Sequence, residues 1–444
     1  MIACFQQLYA GCGFLRHPRA TRGDLVAYQD AQLRRLAAHA YERVPYYRRL
    51  FDRQGLKPAH IRTVKDLGLL PITSRSEMQE LPAEHIVASG FDPASLILRK
   101  TSGSSGKPMV IRRTWVEERL HGLLAFRALR SYGLRMSDRH CYVMSPRGVH
   151  PRDHQLIQHL FQFLGVGRHD QVVSCFQSSE EMVQGLEKLR PRAISGFPVV
   201  LARLAQVVNH DRLRALQFHF IGTGGEVLTP LMRQQIEEGF HAPVRDTYGS
   251  HEFHLLAWQC GSTGDLHVCD DGMILEVVQG DRSVDQGESG EVVGTNLHSF
   301  AMPLIRYRLG DVVTKGSDQC RCGQPFSTLR HIRGRMRDYF LMPDGHVIHP
   351  YEVAFAAGVE RELAPWVREF QMAQERVDRI VMRVVPRYAP ASHELARVSE
   401  QTTRVLGPSV QFHVELVPEI PSEANGKFRL YRSLVQSPYD QVRQ

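Results

Sequence analysis

From Leu33 onward the apolar positions Leu33, Leu36, Ala37, Ala40, Tyr41 and Val44 recur at helical spacing, with Arg34, Arg35, Glu42 and Arg43 elsewhere on the wheel. The pattern predicts an amphipathic helix that stops at Pro45, because proline lacks the donor for the next helical hydrogen bond and clashes with the preceding turn. In the middle of the chain, Asp271-Gly272 precedes Met273 to Val278, and Gly287 to Gly290 precedes Glu291 to Thr295. Such turn signals between short apolar segments predict a region that mixes α and β. Near the C-terminus Ile380 to Val385 reads as a strand, and Ser392 to Leu406 as a helix capped by Ser392 and stopped by Gly407-Pro408. Val410, Phe412, Val414 and Leu416 then alternate with Gln411, His413 and Glu415, the period of a half-buried strand. This β-α-β set is compact enough for a small domain of its own. The expected fold is α/β, with a boundary near Asp338 between a large part, 1–337, and a small α+β part, 338–444.

At 444 residues, 43% hydrophobic and 23% charged, the chain has material for a large core plus a smaller second domain. No apolar run approaches the ~18 to 20 residues needed to cross a bilayer. The first residues are broken by Gln, Gly and Arg and lack the order of a secretory signal. The eight cysteines are spread along the chain, which favours reduced thiols or a metal site over a disulfide framework. These features predict a cytoplasmic protein without a membrane partner. The net charge of +8 comes from 55 Lys and Arg interleaved with 47 Asp and Glu, so no block reads as a nucleic-acid arm. A mild positive field would still favour encounters with anionic ligands.

Candidate chemistry begins at Thr101, Ser102, Gly103, Ser104, Ser105, Gly106 and Lys107, which lie between Leu96 to Leu98 and Met109 to Ile111. Glycines let a backbone approach a ligand closely, hydroxyls and N–H groups donate to phosphate oxygens, and Lys107 adds positive charge. The segment reads as a phosphate loop, with a plain hairpin tip as the alternative. It is not of the Walker type: its glycines are too close together, and Pro108 stands where a Mg²⁺-binding hydroxyl would be.

Further segments follow in a fixed order: Gly222-Thr223-Gly224-Gly225-Glu226, Tyr248-Gly249-Ser250-His251-Glu252, Tyr307-Arg308-Leu309-Gly310-Asp311, Gly334-Arg335-Met336-Arg337-Asp338, and Asn425-Gly426-Lys427-Phe428-Arg429. Each is common alone. In this order they resemble the adenylate-forming superfamily, which includes acyl-CoA synthetases and peptide-synthetase adenylation domains. Tyr41 to Arg48, Leu70 to Thr73 and Ala301 to Arg308 are similar to segments of its phenylacetate-CoA ligase-like family.

The resemblance implies a large multi-subdomain N-terminal domain that binds ATP and a carboxylic acid, and a small mobile C-terminal domain. It also implies roles. Thr101 to Lys107 would hold the β- and γ-phosphates; Gly224, Gly225 and Glu226 would form a wall beside the adenine; Tyr248 would pack on the purine; and Ser250 would reach the α-phosphate. Glu252 would help hold Mg²⁺, a hard cation that prefers oxygen ligands. Asp311 would accept from both ribose hydroxyls, supported by Arg335, while Lys427 would bridge the carboxylate and the α-phosphate. Asp338 would be the hinge. The expected reaction is activation of an aryl or cyclic acid to acyl-AMP, then transfer to coenzyme A. Transfer to an amine, an amino acid or a carrier protein is the alternative. His251 and His254 depart from the family pattern and suggest a more polar acid-binding end, unless His251 points into a hydrogen-bonded core.

Cys260, His267, Cys320 and Cys322 could form a tetrahedral zinc site, since thiolate and imidazole suit that ion. Cys269 competes as a ligand, and a set of free buried thiols is the alternative. Some members of the resembled family carry such a cluster at these places. Four protein ligands would leave no open position, which implies a structural role. A zinc-bearing nucleic-acid-binding module is the competing reading from another class, although the scattered charge predicts no nucleic-acid partner. A homodimer is left open.

Overall fold

The structure, a computed structural model, describes residues 13–14, 16–100, 109–135, 137–145, 170–335, 338–348, 350–358, 364–423 and 428–435. The chain packs as two units: Met1–Gly133 with Asp246–Ile332, and Leu134–Arg245 with Arg333–Gln444. No helix of the described residues is long and apolar enough to cross a membrane.

In the first unit the predicted helix ends at Arg43, before Pro45, but it begins at Arg22, well ahead of Leu33. Thr21 caps it reciprocally with Asp24, each backbone N–H reaching the other side chain at 3.1 Å. The early turns escaped the periodicity because a buried position there is polar. Gln29 sits in the core and donates to the Met273 carbonyl at 3.2 Å. Pro45 opens a second helix, Pro45–Arg53, at a position where a missing N–H removes no helical bond.

These helices fix the N-terminal segment against the loop that enters the strand Tyr307–Lys315. The Tyr47 hydroxyl donates to Pro303 O at 3.1 Å and accepts from Ile305 N at 2.9 Å. Thr73 N donates to Arg306 O at 2.8 Å, and Arg308 N to Thr73 O at 2.9 Å. Arg306, at φ +49°, is held by Glu276 through bonds of 2.9 and 3.1 Å. The segments Tyr41 to Arg48, Leu70 to Thr73 and Ala301 to Arg308, far apart in sequence, are therefore one packed feature. The sheet of this unit has the strand order Arg282–Ser283, Met273–Gln279, Ser289–Asn296, Tyr307–Lys315, Thr328–Arg335, Leu266–Val268, His254–Gln259, Val244–Ser250. Met273 to Val278 and Glu291 to Thr295 are thus adjacent antiparallel strands.

The second unit opens with parallel strands in the order Phe220–Gly224, Ala193–Gly196, His140–Met144, Asp170–Ser174. The helices Ser179–Leu189, Pro198–Val207 and Pro230–Phe240 cover them, their Leu186, Leu201 and Ile236 sharing a core with Ile221 of the strands. Its C-terminal part is a small α+β layer with the strand order Gln411–Leu416, Arg379–Pro386, Val367–Arg376, Tyr431–Ser433. The predicted β-α-β set is present: Arg379–Pro386 and Gln411–Leu416 pair in parallel, joined through the helix Ser392–Leu406. The cap differs from the prediction. Ala391 is the N-cap, Ser392 is the first helical residue, and Ala391 N donates to the Glu394 carboxylate at 2.8 Å. The core of this layer includes Phe340, Trp366, Met372 and Met382, and Val199 of the helix Pro198–Val207 joins it. Arg203 of that helix grips Glu369 through two bonds of 3.0 and 2.9 Å.

Candidate functional site

The phosphate-loop residues Thr101, Ser102, Gly103, Ser104, Ser105, Gly106 and Lys107 lie outside the described residues, as do Asn425, Gly426 and Lys427. Their flanks are defined. Strands Ile97–Lys100 and Val110–Arg113 form an antiparallel pair closed at Lys100↔Val110.

Tyr248 and Asp311, 63 residues apart, meet: the buried phenol donates to Asp311 Oδ2 at 2.7 Å. Asp311 follows Gly310 in the strand Tyr307–Lys315, and Gly310 takes φ +81°, a backbone state that disfavours any residue with a Cβ. Strand Val244–Ser250 carries Tyr248 and bulges between Tyr248 and Gly249 against its partner His254–Gln259. A bulge re-aims the side chains beyond it. Those are Ser250, whose Oγ accepts from Phe253 N at 3.1 Å and closes the turn, and Glu252, which is half-buried. Arg113 holds the same turn, donating from Nη2 to the carbonyls of His251 at 2.9 Å and Glu252 at 2.5 Å. His251 itself is exposed, so its alternative placement in a hydrogen-bonded core is corrected. His254 sits in the left-handed region at φ +58° and stacks on buried His121, with ring centroids 4.9 Å apart.

In the second unit Gly224 ends the strand Phe220–Gly224, and Gly225 turns the chain at φ +80°. Glu226 then extends its carboxylate to Phe428, accepting from the backbone N–H at 2.5 Å. That amide directly follows Lys427. Arg335 lies exposed at the end of the strand Thr328–Arg335, and Asp338 accepts from Arg429 Nη2 at 3.4 Å. Sequence reading passed over Arg113, because Ile111-Arg112-Arg113 looks like a solvated strand edge. Only burial separates Arg113, which is fully enclosed, from Arg112.

The four predicted metal donors come together: one ligand atom from each of Cys260, His267, Cys320 and Cys322 lies within 4.8 Å of all the others. Two short turns present the cysteines, and the strand Leu266–Val268 presents His267. Cys260 N closes on Asp265 O at 2.7 Å, and Cys320 N on Phe326 O at 3.0 Å. Ser262 N donates to Cys260 Sγ at 3.4 Å, and His267 Nε2 lies 3.3 Å from Cys322 Sγ. A tetrahedral zinc with bonds of about 2.3 Å to sulfur sets its sulfur donors about 3.8 Å apart, so three thiols and an imidazole at this spacing suit the ion. Burial and the nearby Arg127 guanidinium pull His267 down to about 4, which keeps its ring neutral. Burial pushes the Cys322 thiol up to about 12, with neighbouring Cys320 and Cys260 adding to the effect. Burial opposes ionisation of Cys260 as well, but hydrogen bonds from Thr263 and Ser262 outweigh it and lower that thiol. Cys269 is not part of the set; it is fully buried beside Arg127.

Comparison with known proteins fits this geometry. The CapK C-terminal domain family matches residues 340–433. Phenylacetate-coenzyme A ligase from Thermus thermophilus is 25% identical over 92% of this chain and 96% of its own length. The protein of that name from Escherichia coli is 27% identical over 66% of this chain and 68% of its own. A structure of 2-hydroxyisobutyryl-CoA ligase in the postadenylation state superposes with a TM-score of 0.78 at 21% identity, covering 96% of this chain and 93% of that one, a likeness of fold. Over nearly its whole length the chain is thus similar to an acid–CoA ligase of the adenylate-forming kind. The homologues that span most of its length, at about 25% identity, are phenylacetate-CoA ligase-like.

Proposed function

We propose that this protein joins a carboxylic acid to ATP, giving acyl-AMP and pyrophosphate, and then passes the acyl group to the thiol of coenzyme A with release of AMP. The observation that carries the reading is the meeting of Tyr248 and Asp311 at 2.7 Å, since two motif residues 63 positions apart converge on one point. Asp311 accepts from the ribose hydroxyls and Tyr248 packs on the purine; the resemblance gives Arg335 a role at the sugar and Gly224, Gly225 and Glu226 one at the adenine. Thr101 to Lys107 hold the outer phosphates, Ser250 reaches the α-phosphate, and Glu252 holds Mg²⁺. Lys427 bridges the two anions that must react. The acid is a compact aryl or cyclic one. Residues 338–444 act as a small domain that turns about Asp338, and Cys260, His267, Cys320 and Cys322 hold one structural zinc.

A panel of acids scored for ATP–pyrophosphate exchange, then for product with coenzyme A, amines or a carrier protein, tests activation and transfer separately. Exchange with an aryl or cyclic acid and a thioester product is the expected result. Exchange without a thioester, but with an amide, would move the reading to an amide-forming ligase. Within the same assay, Asp311→Ala is expected to weaken ATP binding by about 1.5 to 3 kcal/mol, the scale of lost charge-assisted hydrogen bonds. Unchanged ATP affinity in the folded variant would remove Asp311 from the site.

A further inference from the structure

The first unit holds a buried charge cluster beside the turn that carries Glu252. Glu118, in the first turn of the helix Trp115–Ser131, is 7% exposed and faces two guanidinium groups and an imidazole. Arg99 donates to its Oε1 from Nε at 2.9 Å and from Nη2 at 2.5 Å. His254 Nε2 lies 3.1 Å from Oε2, and Arg113 Nη1 3.5 Å from the same oxygen. These three groups come from three separate places. Arg99 and Arg113 belong to the two paired strands that flank Thr101 to Lys107, and His254 follows the turn that carries Glu252.

Neighbouring Glu117 cannot substitute for Glu118. Its carboxylate is taken up by backbone, accepting from Phe300 N at 2.6 Å, Ala301 N at 2.9 Å and Thr114 N at 2.7 Å. Among the described residues Glu118 is a carboxylate in direct contact with Arg99, Arg113 and His254. Removing one partner of a buried charge set leaves the others uncompensated in a poorly polarisable interior, and they move apart or toward water. Arg113 is the member whose movement reaches the site, because the same guanidinium holds the carbonyls of His251 and Glu252. Those two bonds fix the backbone direction from which the Glu252 side chain leaves.

We infer that Glu118, acting through Arg113, is a positioning residue that sets the metal-holding geometry of Glu252 and so the protein's response to Mg²⁺. The inference rests on the proposal that Glu252 holds Mg²⁺ during adenylation. The experiment follows acid-dependent ATP–pyrophosphate exchange at fixed ATP while Mg²⁺ is titrated, in wild type, Glu118→Gln, Glu118→Asp and Arg113→Lys. Glu118→Gln keeps the volume and removes the charge; Arg113→Lys keeps the charge and removes the fork that joins Glu118, through Nη1, to both carbonyls, through Nη2. Both are expected to raise the Mg²⁺ concentration for half-activation by about tenfold or more, the scale on which groups that orient a metal ligand act. KM for the acid should not change, and Glu118→Asp should recover part of the loss. A merely structural role would lower thermal stability without moving the Mg²⁺ midpoint. Folded variants with an unshifted midpoint overturn the inference while leaving the proposed reaction intact. If Glu118→Gln does not fold, Arg113→Lys decides by the same criterion. Wild type that shows no exchange with any acid sinks the underlying reading, and the inference with it.

Discussion

Lys427→Ala is expected to slow adenylation by roughly 10² to 10³, the cost of removing a preorganised cation from developing charge. Adenylation brings a carboxylate against an already anionic phosphate while charge moves to the leaving pyrophosphate, so a positive group spanning both is needed. Transfer needs a different arrangement, because the acceptor must reach the acyl carbon that the lysine covered. Lys427 lies outside the described residues, but Phe428 and Arg429, which follow it in sequence, each have a partner. Glu226 accepts from Phe428 N at 2.5 Å, directly after the lysine, and Arg429 reaches Asp338, the proposed hinge, at 3.4 Å. A hinge must change φ and ψ between states. Asp338→Pro fixes φ and is expected to impede transfer while largely sparing adenylation. The lost contact with Arg429 is long and partly exposed, worth about 0 to 1 kcal/mol, and does not by itself account for such an effect. Pyrophosphate exchange measures the first step, and transfer from separately made acyl-adenylate measures the second. Lys427→Ala that loses transfer but keeps exchange, or Asp338→Pro that stops both equally while folded, refutes this division.

Residue order carries much of this chemistry in legible form. Tyr248 and Asp311 could be named through the resemblance their motifs carry, and the cysteine–histidine quartet from two separate segments; the chain brings each set together. The contacts themselves could not be read, since no local pattern says that Tyr248 donates to Asp311 or that Glu226 reaches Phe428. The helix Arg22–Arg43 shows a second limit. Its early turns were hidden by Gln29, which is buried because the Met273 carbonyl satisfies its amide, and hydropathy alone cannot anticipate a partner so far away. The cap of Ser392–Leu406 shows a third. Serine is the commoner cap, yet the Glu394 carboxylate satisfies the first free amide from within the helix, and Ala391 takes the position. Arg113 and Glu118 were invisible for the opposite reason. Charged residues at a strand end and a helix start read as solvated surface, and only the fold encloses them.

Among the four thiols weighed at the metal site, Cys269 was the one that sequence could not sort, and its place beside Arg127 leads to the last expected result. Protein purified without added metal should contain about one zinc per chain, and Cys320→Ser or Cys260→Ser should lose it, whereas Cys269→Ser should retain it. The four remaining donors would by themselves complete a tetrahedral shell. Loss of the ion leaves three thiols and an imidazole packed within 4.8 Å of one another beside the buried Arg127, with the two turns no longer joined through a common centre. Structural metal binding is coupled to folding, so chelation should destabilise this unit by more than about 4 kcal/mol, the range reached by loss of a metal. The strand His254–Gln259 runs from the Glu252 turn to Cys260, which gives the metal centre a covalent line to the proposed Mg²⁺ position. Exchange activity should therefore fall together with thermal stability as zinc is withdrawn, and return with it when zinc is restored. Elemental analysis under conditions that preserve bound metal decides the first point: protein that is folded, active and free of zinc defeats the site.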